Sequence, residues 1–512
     1  MAKRVDRVHV QLGRDGVDFA GPQSLSDERR ILIVDLNVFA NFPTLAVGLL
    51  AASLRAAGRN VSILSPLAFD APASERERRE NLLDHLARRM HLTDFGPALR
   101  ARDAMRQIRL GWIERPNSIT RQAVIDALDK RPSIVLLSAY FNQFRAVEDI
   151  AAEARERGIP VLIGGPMFNQ DAVLDKWRQI SGLVGIVGAE VDLSIGDIVD
   201  AAISGGDLSR FPGVMLPDGT RAPPAPPLRH LDHTPIPDFR DFPWDRYPNR
   251  IVPVMTGRGC QWDKCAFCSD VISVSGRTFR TRSVENVLLE IQEQARRHNS
   301  TNFLFLDLKL NSWPDMLRGI SQNIQKYVQG AEWVGTVHVD QRKDNGLSAR
   351  DLKAAVDGGM RRISFGLESG SQRILDAAKK GCTVEANRHF IRDAHQAGLS
   401  VRATMFKGFP GETAEDMEET ANFLEENAQY LDRVRFNDFS LLPDTPIWND
   451  VRNSKASLDI IRLDTQRGRA IYRNRDVRSK DYRRAKRRAL NAVYAINKRP
   501  LRDAARQFDG LM

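Results

Sequence analysis

The chain of 512 residues is poor in cysteine, with four in all, and aromatic residues make up only 7%. So few thiols exclude a disulfide framework of the kind small secreted domains use. No stretch approaches the ~18 consecutive apolar residues that a membrane-crossing helix needs. Met1–Asp6 carries no apolar run of the kind that opens a secretory leader, so the expected setting is a reducing cytoplasm. The body of the chain also lacks charge of one sign. Residues 451–512 hold 18 Lys or Arg against 6 Asp or Glu, and the first 450 residues carry −2 of the total +10. The sequence pI of 9.5 therefore describes a tail. Charge gives nucleic-acid binding by the body no support.

Three of the four cysteines stand within nine residues: Cys260, Cys265 and Cys268, spaced C-x4-C-x2-C. An odd cluster cannot pair off internally. Thiolates are soft ligands that suit iron–sulfur clusters, zinc or copper(I). A structural zinc site wants four ligands in two pairs, and here the fourth could only be the distant Cys382 or a histidine. A cluster held by three cysteines leaves one iron open to another ligand.

The pattern of apolar runs is α/β throughout. Continuous runs at 31–36, 61–64, 133–138, 160–163 and 183–187 predict buried parallel strands. Helical patterns at 45–57, 146–158 and 192–203 alternate with them. Together they predict a doubly wound, flavodoxin-like sheet, and an early strand at 8–12 stands apart from it. Ligands in such sheets bind at the strand carboxyl ends. The charged stretch at about 67–130 reads as a helical insertion. Pro223, Pro224, Pro226 and Pro227 lead to Pro235 and Pro237 and mark a stiff linker. Six further strands are expected at 251–255, 302–307, 333–338, 362–366, 400–406 and 433–440, alternating with helices. They make a partial or complete barrel with its chemistry at the C-terminal strand ends. The expected organisation is an extension at 1–28, a first domain at 29–205, a linker at 206–248, a barrel at 249–450 and a basic helical tail at 451–512.

With the cysteine loop placed after the first barrel strand, the chain resembles the radical S-adenosylmethionine (SAM) enzymes that carry a cobalamin-binding domain. Their loop is usually C-x3-C-x2-C with an aromatic before the third cysteine. Phe267 matches the aromatic, and this chain has one extra residue between Cys260 and Cys265. The segment Gly366–Ser371 resembles the family's SAM-contacting strand end, and Lys407–Thr413 its glycine-rich adenine-side loop. The resemblance implies a 4Fe-4S cluster on Cys260, Cys265 and Cys268. It also implies SAM contacts from Phe267, Glu368, Ser369, Gly408, Gly411 and Glu412.

For the N-terminal sheet the resemblance implies cobalamin against the loops carrying Asn37, Ser138, Gly164, Gly165, Gly188 and Glu190. No G-x-G-x-x-G follows the first strand, which argues against a dinucleotide. The D-x-H-x-x-G motif that supplies a histidine to cobalt is absent too. The N-terminal histidines, His9, His85 and His91, stand in other contexts, so no histidine ligand to cobalt is expected.

The implied activity is methylation of an unactivated carbon. A cyclisation or rearrangement without methyl transfer, and a zinc-stabilised non-catalytic protein, stand as alternatives. A small-molecule or peptide substrate, an electron donor such as flavodoxin or ferredoxin, and a monomeric state are expected. No residue is assigned as catalytic. Cys382 reads first as a packed thiol and His338 as a structural histidine. Asp307 and Asn311 are balanced between loop structure and ligand contact. The run Arg483–Arg488 reads as a solvated helix face, with an acidic substrate as the alternative.

Overall fold

The computed structural model describes residues 30–37, 41–69, 79–113, 118–268, 272–273, 276–443, 445–453, 458–464, 469–474 and 476–511. The strand expected at 8–12, His9 and the loop residues 38–40 lie outside them.

The N-terminal half is built on one sheet. Its strands are Arg30–Asp35, Asn60–Leu64, Ile134–Ser138, Val161–Gly164, Leu183–Val187 and Val214–Met215, in spatial order 2-1-3-4-5-6. The first five are parallel, and the sixth closes the edge antiparallel. Alternate residues of the apolar runs go to opposite faces. Ile31, Ile33 and Leu136 pack with helices Leu45–Ala56 and Ile195–Ser204. Leu32, Val34, Val135 and Leu137 pack with Ser118–Asp129, Phe144–Glu156 and Asp171–Trp177. Strands covered on both sides need apolar residues at every position, which is why these runs are continuous rather than alternating. The order reverses between the first and third strands, and the loops after those two strands border a cleft.

The insertion is helical, as expected, with Leu82–His91 and Gly96–Ile113 standing apart from the sheet. Its last helix, Ser118–Asp129, belongs instead to the sheet's own covering layer. The insertion is tied to the far half of the chain. Asp94 pairs with Lys407 and Lys486, and Arg102 with Asp438.

The stretch expected to be a linker is extended, yet it packs. Phe239 is fully buried and stands in one core with the N-terminal helices and the barrel. Asp238 and Asp241 both pair with Arg55 of the first helix.

The C-terminal half holds six parallel strands in sequential order: Ile251–Val254, Asn302–Phe305, Glu332–Val337, Met360–Glu368, Ser400–Lys407 and Arg433–Asp438. Helices such as Val284–His298, Pro314–Tyr327 and Ala414–Asn427 cover the outside. The sheet is a partial barrel, open between its first and last strands.

Residues 451–512 depart from the helical expectation. Leu458–Asp464 and Arg469–Asn474 form an antiparallel hairpin before the helix Lys480–Asn497. The hairpin is locally encoded by short, charge-interrupted segments with little apolar periodicity, so its strand character does not stand out. The basic run is partly a solvated face, with Arg484 and Arg487 exposed, and partly held by packing. Lys486 is buried and donates to the Leu92 carbonyl, and Arg488 pairs with Glu418 and Glu425. The Asn497 side-chain amide donates to the carbonyl of Val434 and accepts from its N–H, along the free edge of the sixth barrel strand.

Beyond this helix the chain turns into the barrel. Phe508 and Leu511 pack on Ile251, Leu304 and Val334, and Arg362 donates to the carbonyls of Phe508 and Leu511. Phe508→Ala is expected to cost about 3–5 kcal/mol through the cavity it leaves. The denaturant midpoint of the barrel, followed by tryptophan fluorescence, checks this.

Candidate functional site

The two sets of strand carboxyl ends face each other across a cavity of about 700 Å³. All six residues expected to meet cobalamin, Asn37, Ser138, Gly164, Gly165, Gly188 and Glu190, stand on its wall. The opposite wall includes Met255, Arg258, Gly259 and Arg280 of the barrel half. Gly259 directly precedes Cys260, so the cavity runs up to the cysteine loop. Among the described residues of the wall there is no histidine or cysteine.

An ionic seam joins the two walls. Arg258 and Arg280 lie on a short antiparallel ladder, Gly257–Arg258 with Arg280–Thr281, at the top of the first barrel strand. Arg258 grips Asp192 with both terminal nitrogens, at 2.6 and 2.8 Å. Arg280 does the same to Glu190, at 2.7 and 2.9 Å. Burial works against ionisation of Glu190, but the two guanidiniums outweigh it and hold the carboxyl below its usual range. Glu190 is thus a fastener between the two halves as well as a wall residue. Neither arginine carries a local signal in the sequence, because each partner is more than 60 residues away.

At the floor of the N-terminal side, Asp35 ends the first strand. It accepts hydrogen bonds from the Thr44 hydroxyl at 2.8 Å and the Asn37 N–H at 3.0 Å, which shapes the loop bearing Asn37. Burial pushes this carboxyl up to about 6.

The cysteine loop follows the first barrel strand. Cys265 is buried, and Cys260 and Cys268 are partly exposed. Among the described residues no three Cys, His, Asp or Glu side chains stand gathered in metal-binding geometry. The donor chemistry nevertheless fits an iron–sulfur cluster: three soft thiols on one loop, beside the buried ammoniums of Lys309 and Lys380. Burial raises the Cys260 thiol above its usual range, and the Lys309 and Lys380 ammoniums oppose that rise. Lys309 is itself buried and held by Asp340 at 2.5 Å. Arg342 completes this group, binding Asp340, the carbonyls of Asn311 and Ser312, and the Gln261 side chain of the loop.

A second segment, residues 378–382, clamps the loop from the other side. Ala266 N–H donates to the Ala378 carbonyl at 2.9 Å, and the Trp262 indole donates to the Lys379 carbonyl at 3.0 Å. Gly381 has φ +70°, and a Cβ there would lie 1.8 Å from the Trp262 ring. Only glycine permits both the turn and the stacked indole. Cys382 is buried below, its thiol pushed up to about 11 by burial and touched by the Asn387 amide. It packs as expected of a core thiol.

The expected SAM positions divide into two groups. Phe267 and Glu368 come together around the Lys380 ammonium, which lies 2.8 Å from Glu368 Oε1 and 5.9 Å from the Phe267 ring centre. Glu368 takes φ +62°, a strained conformation for a non-glycine residue. Ser369 and Glu412 are turned into packing. The Ser369 hydroxyl bonds Thr420, and Glu412 accepts from the Gly408 N–H at 2.5 Å and the Tyr482 hydroxyl at 2.6 Å. Glu412 thereby fixes the loop Gly408–Gly411, whose two glycines both lie at positive φ.

Asp307 accepts the Thr256 hydroxyl and N–H and the Gly257 N–H. Asn311 pairs with the backbone of His338 through both amide atoms. The His338 ring bonds the Lys380 carbonyl, and burial holds it well below its usual range, so it stands neutral. In this structure these three residues serve loop architecture.

Residues 254–424 match the Radical SAM superfamily. They form a radical SAM domain. The chain is accordingly a radical SAM enzyme, and the zinc-stabilised, non-catalytic alternative falls away. An uncharacterised methyltransferase of Pyrococcus horikoshii is 28% identical over 325 residues, 62% of this chain and 69% of that protein. The anaerobic magnesium-protoporphyrin IX monomethyl ester cyclase of Rubrivivax gelatinosus is 27% identical over 304 residues, 57% of this chain and 53% of the cyclase. Among solved structures, the radical SAM methyltransferase TsrM from Kitasatospora setae, with cobalamin and a 4Fe-4S cluster bound, superposes with a TM-score of 0.61. It is 17% identical, over 85% of this chain and 81% of that one. The cobalamin-dependent radical enzyme OxsB, with aqua-cobalamin and SAM bound, gives 0.65 at 16% identity, over 90% and 66%. These likenesses establish a shared fold. No described helix is long and apolar enough to cross a membrane.

Two measurements follow from the site. Gly381→Val displaces Trp262, and iron bound by the reconstituted protein is expected to weaken roughly tenfold or more, as for loss of a ligand's support. Burial pushes the Glu412 carboxyl up to about 7, whereas in the unfolded chain it titrates near 4.3. The folded state therefore holds the proton more tightly. Stability is highest below about pH 4.3 and falls as pH rises to about 7, by about 3–4 kcal/mol for this group alone. Glu412→Gln should flatten that part of the profile in urea unfolding across pH 5–7.

Proposed function

We propose that the protein is a cobalamin-dependent radical SAM methyltransferase that acts on an unactivated carbon. The observation that carries this reading is the cavity between the two sets of strand ends. It encloses about 700 Å³, its N-terminal wall carries the small loop residues Ser138, Gly164, Gly165 and Gly188 at a topological switch point, and its other wall reaches the cysteine loop. The names of the Pyrococcus relative and of TsrM point to the same chemistry. In this reading the cobalamin unit spans about 29–205 and the barrel about 249–450.

Cys260, Cys265 and Cys268 would hold the 4Fe-4S cluster, and cobalamin would lie against Asn37, Ser138, Gly164, Gly165, Gly188 and Glu190. When bound, these groups supply one-electron cleavage of SAM and a transferable methyl. The chain supplies the rest. Lys309 and Lys380 compensate thiolate charge on the cysteine loop. Glu368 presents a carboxylate for the amino or hydroxyl groups of SAM, with Phe267 beside it. Gly408 and Gly411 leave backbone open to the nucleoside, and Glu412 with Ser369 keeps that loop and the neighbouring strand end in shape. The Arg258–Asp192 and Arg280–Glu190 pairs hold the two walls together, which keeps bulk water from the space between them. A small molecule or peptide would be the substrate, and a flavodoxin- or ferredoxin-type donor the electron source.

The cyclase relative favours a second reading, ring closure with both cofactors and no methyl transfer. Anaerobic reconstitution with iron, sulfide and hydroxocobalamin separates the two. Methyl transfer is expected to yield both 5′-deoxyadenosine and S-adenosylhomocysteine; 5′-deoxyadenosine alone favours cyclisation. Ser138→Phe fills the cavity wall. It should abolish retention of cobalamin on gel filtration while leaving iron content unchanged, and retention of stoichiometric cobalamin by this variant would count against the proposed site.

A further inference from the structure

The buried ion pair of Glu368 and Lys380 is costly as a purely structural device. Taking two charges out of water costs several kcal/mol per ion, and an apolar pair of similar volume often serves stability as well or better. Here the pair is also strained into place. The left-handed backbone of Glu368 turns its carboxylate back over Gly366, where a Cβ would lie 2.2 Å from Glu368 Oε1 and 2.7 Å from Lys380 Nζ. Lys380 has little freedom. Its backbone N–H donates to the Leu375 carbonyl, its carbonyl is held by the His338 ring, and the residues on either side are fastened to Trp262 and Gln341. Its side chain is 8% exposed, and that of Glu368 12%. The ammonium stands against Phe267, the residue before Cys268, and its field reaches Cys260 and Cys265.

We propose that Lys380 is a positioning residue for the reductive step, holding the Glu368 carboxylate ready for SAM and favouring the reduced state of the cluster on the cysteine loop. This rests on the reading of Cys260, Cys265 and Cys268 as cluster ligands. One electron from a low-potential reductant such as titanium(III) citrate adds negative charge to a group already made anionic by thiolates. A fixed cation nearby stabilises that product. With SAM bound, that electron would cleave the C5′–S bond of the sulfonium reductively, giving methionine and the 5′-deoxyadenosyl radical. Lys380 neither gives nor takes a proton in this sequence.

The test is an anaerobic redox titration of the full-length, reconstituted protein, followed by the electron paramagnetic resonance signal of the reduced cluster, with SAM affinity measured on the same samples. Lys380→Met is expected to lower the reduction equilibrium constant about tenfold, 59 mV for one electron, and to weaken SAM binding. Lys380→Arg, which keeps the charge, should stay near the wild-type potential. Lys380→Met leaves a buried carboxylate unpaired and can fold poorly. Glu368→Gln/Lys380→Met removes both charges, and its potential compared with that of Glu368→Gln alone isolates the lysine. Equal potentials in that comparison would overturn the proposal. If the wild-type protein takes up no iron, this inference and the proposed function fall together. If the cluster forms and SAM perturbs its spectrum but no lysine variant moves the potential, only the role of Lys380 falls.

Discussion

The fold depends on two α/β units presenting their strand carboxyl ends to each other, and four charged side chains hold that arrangement. Arg258 and Arg280 on one side and Asp192 and Glu190 on the other are paired at both terminal nitrogens of each guanidinium. Bidentate pairs fix orientation as well as distance. The arginines flank the cysteine loop, Arg258 just before Cys260 and Arg280 on the strand paired with that of Arg258, so the seam sets where that loop lies relative to the N-terminal wall. The shared apolar core through Phe239 supplies the bulk of the adhesion, and the seam supplies the register.

Much of this was legible in the chain. Continuous apolar runs located all five parallel strands of the first sheet, because strands buried on both faces admit no polar alternation, and the strand–helix rhythm located the six of the barrel. The cysteine spacing singled out the loop after the first barrel strand, and residues at strand ends picked out the cavity wall. The features that escaped are those made by distant partners. Lys380 lies in a stretch where Cys382 drew the eye, and nothing local says that its ammonium meets Glu368. The seam arginines are ordinary surface residues until the two halves meet. Ser369 and Glu412 matched a motif by position, while their side chains turned inward, a choice made by Thr420 and Tyr482 rather than by neighbours in sequence. The hairpin of the tail was hidden by its charges.

The cysteine loop shows how a variable stretch is kept in place. The loop has one residue more than the usual spacing, and it is held by backbone bonds from the 378–382 segment and by Arg342 through Gln261. Such contacts act at Gln261, Trp262 and Ala266, between the cysteines. An added residue is then a matter of local slack, absorbed between fixed points.

The amide of Asn497, laid along the free edge of the last barrel strand, has a consequence for the molecule in a crowded solution. An unpaired strand edge invites pairing with another chain, and proteins blunt such edges with charge, bulges or cover. A single amide that both donates to and accepts from Val434, with the helix bearing it packed alongside, removes the docking site a foreign strand would use. The barrel can then stop at six strands, remain open on one side for its cofactors, and still be protected from edge-to-edge association with its own kind.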